Sequence, residues 1–184
     1  MKTKYPRDYA MYAAVFGLFG FSWFGWAQAS PPEDWRIALG TMSAISFLIA
    51  CAGGFLAAKR WKDASALNKP GAYRTFGVIV AIECTLSLIG ALSLLALHLP
   101  DYVAPYISFI VAIHFIPLGP LFQNRALYLL AALVAVTSVT AVCTASYVGL
   151  TATTIATTGS GIWLLLFAFT SLVVFFRSHS KTTD

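Results

Sequence analysis

Six apolar stretches, each long enough to cross a lipid bilayer as a helix, constrain this chain more than any other feature. Their approximate limits are 9–28, 37–58, 76–97, 103–122, 126–147 and 152–176. At a rise of about 1.5 Å per residue, about 20 residues cross a hydrocarbon layer of about 30 Å. The stretches are continuously apolar and lack the ten-residue alternation of membrane strands. We therefore predict an all-α integral membrane protein, a six-span helical bundle in which residues 1–184 form a single transmembrane domain.

The composition supports lipid as the solvent of this chain. Hydrophobic residues make up 59% of it and charged residues 10%, whereas a soluble domain carries about 25% charged residues on its hydrated surface. The expected partner is therefore a lipid bilayer. We expect a multi-pass protein of the cell membrane, which is the inner membrane if the source is bacterial.

The distribution of Lys and Arg predicts the orientation. If the chain crosses six times, eleven basic residues lie on one side of the membrane and Arg36 alone on the other. Short cytoplasmic loops are enriched in Lys and Arg, so both termini are predicted to be cytoplasmic. This distribution accounts for the net charge of +5 without a nucleic-acid partner, and we expect none. The eleven residues are Lys2, Lys4, Arg7, Lys59, Arg60, Lys62, Lys69, Arg74, Arg125, Arg177 and Lys181.

The first stretch has a competing interpretation as a cleavable signal peptide. It begins with basic residues and ends in Ala27-Gln28-Ala29, which is typical of a signal-peptide cleavage site. The apolar run is long and rich in Phe and Trp, which favours a span that is retained. We predict an uncleaved first helix.

Small residues predict where helices approach one another closely. Glycine, alanine and serine faces let helix backbones pack tightly in lipid, where no hydrophobic driving force exists between helices. Gly159 and Gly161 indicate close packing in the outer half of the sixth span. A four-residue repeat predicts a ladder of small side chains on the second span, and it comprises Ser46, Ala50, Gly54 and Ala58.

Glu83 and His114 are ionisable residues well inside the third and fourth spans. Such residues are costly in lipid unless they are paired or hydrated, and they often mark functional sites. The link between the two spans is short, so an antiparallel hairpin is expected. Glu83 lies 17 residues before Pro100 and His114 lies 14 residues after it. At about 1.5 Å per residue their depths differ by only about 4–5 Å, so we predict a Glu–His pair.

Neighbouring residues extend this predicted site. Ser87 lies one turn from Glu83 on the same helix face and belongs to the predicted substrate or proton site. Pro117 and Pro120 each remove a backbone donor and free the carbonyl four residues earlier, so we predict a helix break beside His114. Freed carbonyls at membrane depth need burial in protein or contact with water. Arg125, which follows Gln-Asn at 123–124, gives the predicted pathway a polar cytoplasmic mouth.

Three functions are compatible with this pattern. The first is permeation or transport of protons or a small solute at the Glu–His pair, in a homo-oligomer because one small bundle offers little room for a pathway. The second is a non-catalytic accessory subunit that contacts a membrane partner subunit, with a purely structural pair. The third is a small membrane-embedded enzyme acting on a lipid or another apolar substrate.

The enzyme interpretation has little support, because the sequence lacks the known catalytic and metal-binding motifs. The sequence contains no HExxH motif, nucleophile elbow or phosphate loop. Its cysteines, Cys51, Cys84 and Cys143, stand apart inside apolar stretches, so neither a disulfide framework nor a metal site is indicated. We predict no cofactor and no metal, and we favour a protein without catalytic activity.

Overall fold

The computed structural model describes residues 5–179, except for the side chain of His179. Within this range the chain is all-helical, with six long helices and three single-turn 3-10 helices in the connections. All six long helices are long and apolar enough to cross a membrane, and their bounds lie within four residues of the predicted stretches. They are α1 (Pro6–Ala27), α2 (Arg36–Lys59), α3 (Ala72–Ala96), α4 (Val103–Phe122), α5 (Ala126–Val148) and α6 (Ala152–His179).

Helices α1, α4, α5 and α6 form the centre of the bundle. Phe16 of α1 packs edge-on against Phe115 of α4 and Phe167 of α6, and Leu130 of α5 is completely buried in the same cluster. Helix α2 lies mainly against α1, and α3 lies mainly against α4. Helix α3 is therefore an edge helix, and Ala72 at its first turn is its one buried residue.

The seam between α1 and α2 corrects the predicted small-residue ladder. Two members of the predicted ladder do not face α1: a β-carbon on Gly54 would have no neighbour within 4 Å, and Ala58 is exposed. The buried small residues of α2 are instead Ser43, Ser46, Gly53 and Ala57. Steps of four residues advance about 40° beyond one helical turn, so a four-residue ladder rotates away from its partner. Alternating steps of three and four residues stay on one face. The matching face of α1 comprises Ala10, Ala13, Gly17, Gly20, Phe24 and Ala27.

The predicted close packing of the sixth span is confirmed. A β-carbon on Gly159 would lie 2.5 Å from Cγ2 of Thr137 in α5, and one on Gly161 would lie 2.9 Å from the ring of Phe24. Trp163, one turn from Gly159, donates its indole N–H to the Thr137 hydroxyl at 3.0 Å. Helix α6 therefore packs closely on both α1 and α5.

The basic connections gather at one end of the bundle. The guanidinium of Arg7 lies 4.3 Å from the ring centre of Trp61 and donates to the carbonyl of Asp63 at 3.3 Å. The buried carboxylate of Asp8 accepts the Ala66 N–H at 2.8 Å. These contacts hold the connection between α2 and α3 against the start of α1.

The opposite end is held by an acidic helix cap. The carboxylate of Asp101 accepts the N–H groups of Ala152 and Thr153 at 2.9 and 3.0 Å. These donors belong to the first turn of α6, where backbone N–H groups lack helical partners and the helix dipole favours negative charge. Asp101 therefore joins the α3–α4 link to the start of α6.

Candidate functional site

Glu83 and His114 meet in the seam between α3 and α4. Oε2 of Glu83 lies 3.5 Å from Nδ1 of His114, as the depth count from the sequence predicts. The two side chains are 15% and 13% exposed in the chain alone. Glu83 is about 16 Å along α3 from Ala72, so the pair lies near the middle of the helix and far from either end.

The imidazole of His114 is oriented by its own helix. Nδ1 lies 2.9 Å from the carbonyl oxygen of Val111, and because a carbonyl only accepts, Nδ1 carries the proton in this arrangement. Nε2 is then the nitrogen that takes up or releases a second proton. The ring also lies beside Phe115, with 4.7 Å between the ring centres.

The carboxyl group of Glu83 is poorly satisfied for its depth. Within residues 5–179 it makes no hydrogen bond, and His114 is its one ion-pair partner. The nearest donor, Nδ1–H of His114, is already directed to Val111. Carboxyl oxygens removed from water normally find hydrogen-bond donors, because leaving a buried acceptor unpaired costs about 1–3 kcal/mol, and more if it is charged. The site therefore has hydrogen-bonding capacity left over for a proton, a water molecule or a solute.

Ser87 adds a second unsatisfied group one turn from Glu83. Its hydroxyl oxygen is buried and has no hydrogen-bond partner among the described residues. Other hydroxyls of the same helix donate to the carbonyl four residues earlier, as Thr85 does to Ala81 at 2.8 Å. In Ser87 that local bond is not made. Glu83, Ser87 and His114 thus form a polar group in the seam between α3 and α4, where Tyr106 of α4 also donates its hydroxyl to the Leu86 carbonyl of α3 at 3.0 Å.

The two prolines of α4 do not break the helix. Pro117 and Pro120 lie inside α4, which continues to Phe122, so the predicted break is wrong. Both prolines are exposed on the outer surface of the single chain, and so are Ile113 and Ile116, whose carbonyls the prolines free.

The predicted polar mouth lines a cavity, but Glu83 and His114 do not. Gln123, Asn124 and Arg125 lie at the end of a cleft of about 570 Å³ between α1, α5 and α6. A second, shallower groove of about 300 Å³ lies between α5 and α6 beside Trp163. Neither of these two cavities is lined by Glu83 or His114. The sequence predicts one pathway that contains both the mouth residues and the Glu–His pair, and that pathway stays a prediction.

The α1 and α6 walls of the cleft were not identified from the sequence. They include Tyr9 and Phe16 in α1 and Phe167 and Thr170 in α6. The adjacent hydroxyls Thr170-Ser171 in an apolar helix are a weak signal of a polar surface. Nothing local in the sequence indicates that they face Arg125, because the contact joins segments more than 40 residues apart.

No metal-binding group is present among residues 5–179, since no three His, Cys, Asp or Glu side chains lie close enough together to hold an ion. Comparison of the chain with protein-family models, with curated proteins and with solved structures gives no match.

Proposed function

We propose that this multi-pass membrane protein binds and passes protons, or a small hydrogen-bonding solute, at Glu83 and His114. The observation that carries the proposal is the unsatisfied carboxyl of Glu83, 3.5 Å from the imidazole at mid-helix depth. A purely structural pair is expected to make an interhelical hydrogen bond, which contributes about 0.6–2 kcal/mol in membranes. Here the short hydrogen bond of His114 goes to Val111 in its own helix, so the carboxyl is left available.

The chemistry is a reversible proton transfer. A proton bound at Nε2 makes His114 cationic, and the ring then turns its Nδ1–H from the Val111 carbonyl to the Glu83 carboxylate, 3.5 Å away, which takes that proton. Both groups become neutral, and total charge is conserved. Imidazole exchanges protons readily near neutral pH in water. Ser87 can donate its hydroxyl proton to the Glu83 carboxylate or accept from a solute, since its oxygen has no hydrogen-bond partner within residues 5–179.

A homo-oligomer would complete the pathway. Helix α3 packs mainly on α4, so the pair lies at the edge of one bundle. The exposed prolines Pro117 and Pro120 free two carbonyls on the neighbouring surface, and such carbonyls need protein or water rather than lipid. A second copy of the chain against α3 and α4 would provide this cover and a second wall for the site.

We propose that both termini face the cytoplasm and that the protein lies in the cell membrane, the inner membrane in a bacterium. The start of α1 and the connection between α2 and α3 meet at one end, where Arg60 also lies 5.6 Å from the ring of Phe175 in α6. That end carries the basic residues whose enrichment is typical of cytoplasmic loops.

A non-catalytic accessory subunit is the second candidate. It is favoured by the separation between the pair and the two cavities, since Glu83 lines neither. In that role the exposed surface of α3 and α4 would contact a different membrane protein. The Glu–His pair would then stabilise this contact rather than carry protons or a solute.

Proton flux into proteoliposomes tests the first proposal. The full chain, Glu83→Gln and the control Glu33→Gln are reconstituted, and internal pH is followed under an imposed pH gradient and membrane potential. Glu33 is exposed outside the long helices, so its substitution makes the same chemical change away from the site. We expect flux in the wild type and in Glu33→Gln, and at least a tenfold loss in Glu83→Gln.

The controls decide between the two candidates. An added protonophore must collapse the gradient in every preparation, which shows that the vesicles are sealed. Absence of wild-type flux under both driving forces, in sealed vesicles that contain folded protein, would overturn the proton pathway. Equal flux in wild type and Glu83→Gln would show a pathway elsewhere, and the assignment of Glu83 would then be wrong.

A further inference from the structure

The cleft behind Arg125 runs along the bundle axis from its basic end. Tyr9 and Phe16 line it on α1, and Val174 and Phe167 line it on α6. Each pair is separated by seven residues, which corresponds to about 10 Å of helix. A volume of about 570 Å³ lies within the range of small-molecule sites. The cleft is therefore large enough for a polar group at its mouth and an apolar segment along its length.

Free hydrogen-bond donors are concentrated at the mouth. Arg125 is exposed, and neither its guanidinium nor the Gln123 amide makes a side-chain hydrogen bond or ion pair within the described part of the chain. Deeper in the cleft, the hydroxyls of Thr170 and Ser171 already donate hydrogen bonds to carbonyls of α6, both at 2.7 Å. Among the described residues that line the cleft, the available side-chain donors of Gln123 and Arg125, and the positive charge of Arg125, thus lie at its mouth.

The deep end is aromatic and apolar. Phe16 and Phe167 lie edge to face there, with 6.5 Å between their ring centres. Leu129 of α5 is 57% exposed, and Thr170 of α6 is also exposed, so the cleft has an outward-facing side between these helices. A molecule within the bilayer could enter from that side with its apolar portion directed inward.

We infer that this cleft binds an anionic phospholipid from the leaflet at the basic end of the bundle. Arg125 would hold the headgroup phosphate in a charge-assisted hydrogen bond, the geometry for which guanidinium is well suited. The upper part of one acyl chain would lie against Leu129, Phe16 and Phe167. The inference is independent of the proposed function, because Glu83 and His114 do not line the cleft.

Native mass spectrometry of the purified full chain in a neutral detergent tests this site. The probes are phosphatidylglycerol, phosphatidylcholine of the same acyl chains, and inorganic phosphate. Individual lipids in a neutral micelle avoid the general attraction of basic residues to an anionic bilayer surface. The variants are Arg125→Gln, Arg125→Lys and the control Arg74→Gln, which removes an exposed positive charge near the same end.

We expect phosphatidylglycerol to bind the wild type at least tenfold more tightly than phosphatidylcholine. Arg125→Gln should weaken phosphatidylglycerol about tenfold, as expected for the loss of one charge-assisted hydrogen bond, and Arg125→Lys should retain most of the binding. Arg74→Gln should change it less than twofold. Ser171→Leu, which narrows the cleft without changing charge, should weaken the lipid and leave phosphate unaffected.

Three results would overturn the inference. Equal weakening by Arg125→Gln and Arg74→Gln would indicate diffuse attraction to the basic end. Equal binding of the two lipids would exclude recognition of an anionic headgroup. Displacement of phosphatidylglycerol by inorganic phosphate, together with full lipid binding in Ser171→Leu, would identify a free-anion site. Unchanged far-ultraviolet circular dichroism and a single size-exclusion peak confirm that each variant is folded.

Discussion

Gly53 and Gly54 are adjacent in α2, yet only Gly53 lies against α1. A β-carbon on Gly53 would be 2.5 Å from the backbone nitrogen of Ala14 and 2.8 Å from the carbonyl oxygen of Ala10. Both are backbone atoms, so no side chain can rotate to make room. A β-carbon on Gly54 would have no neighbour within 4 Å. Comparing an alanine substitution at each position therefore distinguishes the effect of helix propensity on stability from the effect of helix packing.

Gly53→Ala should destabilise the fold, and Gly54→Ala should not. Each substitution gains up to about 1 kcal/mol of helix propensity, and this contribution cancels when the two variants are compared. Only Gly53→Ala forces α1 and α2 apart, and overpacking of this kind costs about 1–3 kcal/mol. The difference in the free energy of unfolding between the two variants should therefore be about 1–3 kcal/mol, with Gly54→Ala at or slightly above the wild type.

Unfolding by sodium dodecyl sulfate from a mild detergent measures this difference. Tryptophan fluorescence and far-ultraviolet circular dichroism should give coincident transitions, and the midpoint for Gly53→Ala should fall below that of the wild type. Equal midpoints for the two variants would refute the reasoning. So would a Gly53→Ala protein more stable than Gly54→Ala, because the α1–α2 approach would then not limit the packing.

Two further predictions concern the ends of the bundle. Asp101→Ala should lower the free energy of unfolding by about 1–2 kcal/mol, since it removes the acceptor of the first N–H groups of α6. The control Asp34→Ala, at an exposed position at the same end, should have little effect in the same detergent titration. Equal effects of the two substitutions would argue against the helix cap. In a background without the native cysteines, a membrane-impermeant maleimide added to intact cells should label Asp34→Cys but not Asn68→Cys until the cells are opened. The reverse pattern would invert the proposed orientation.

The Glu–His contact could be predicted because it depends on local geometry. Glu83 and His114 lie on two helices joined by a short link, so counting residues from Pro100 compares their depths directly. The short bond from His114 to Val111 could not be predicted, since it depends on a side-chain rotamer. That bond favours a binding site over a structural interhelical hydrogen bond, because it leaves the carboxyl of Glu83 without its expected donor.

The cleft was beyond prediction from the sequence for a different reason. Its walls come from three helices, and Phe16 and Phe167, which lie edge to face, are about 150 residues apart in the chain. Residue spacing within a helix determines which side chains share a face. It does not determine which distant face they meet, and here the packing of α6 between α1 and α5 decides it.

The sequence by itself determined the number, limits and lipid-soluble character of the helices, because backbone hydrogen bonding and apolar length in a bilayer are properties of each segment alone. Only the tertiary structure decided that the packing face of α2 includes Gly53 rather than Gly54, that Pro117 and Pro120 remain inside a helix, and that the polar mouth and the Glu–His pair lie apart. These features depend on the contacts that each helix makes with the others. Most of the side chains involved are small or apolar and could face lipid or protein equally well, so segment composition cannot choose between the two.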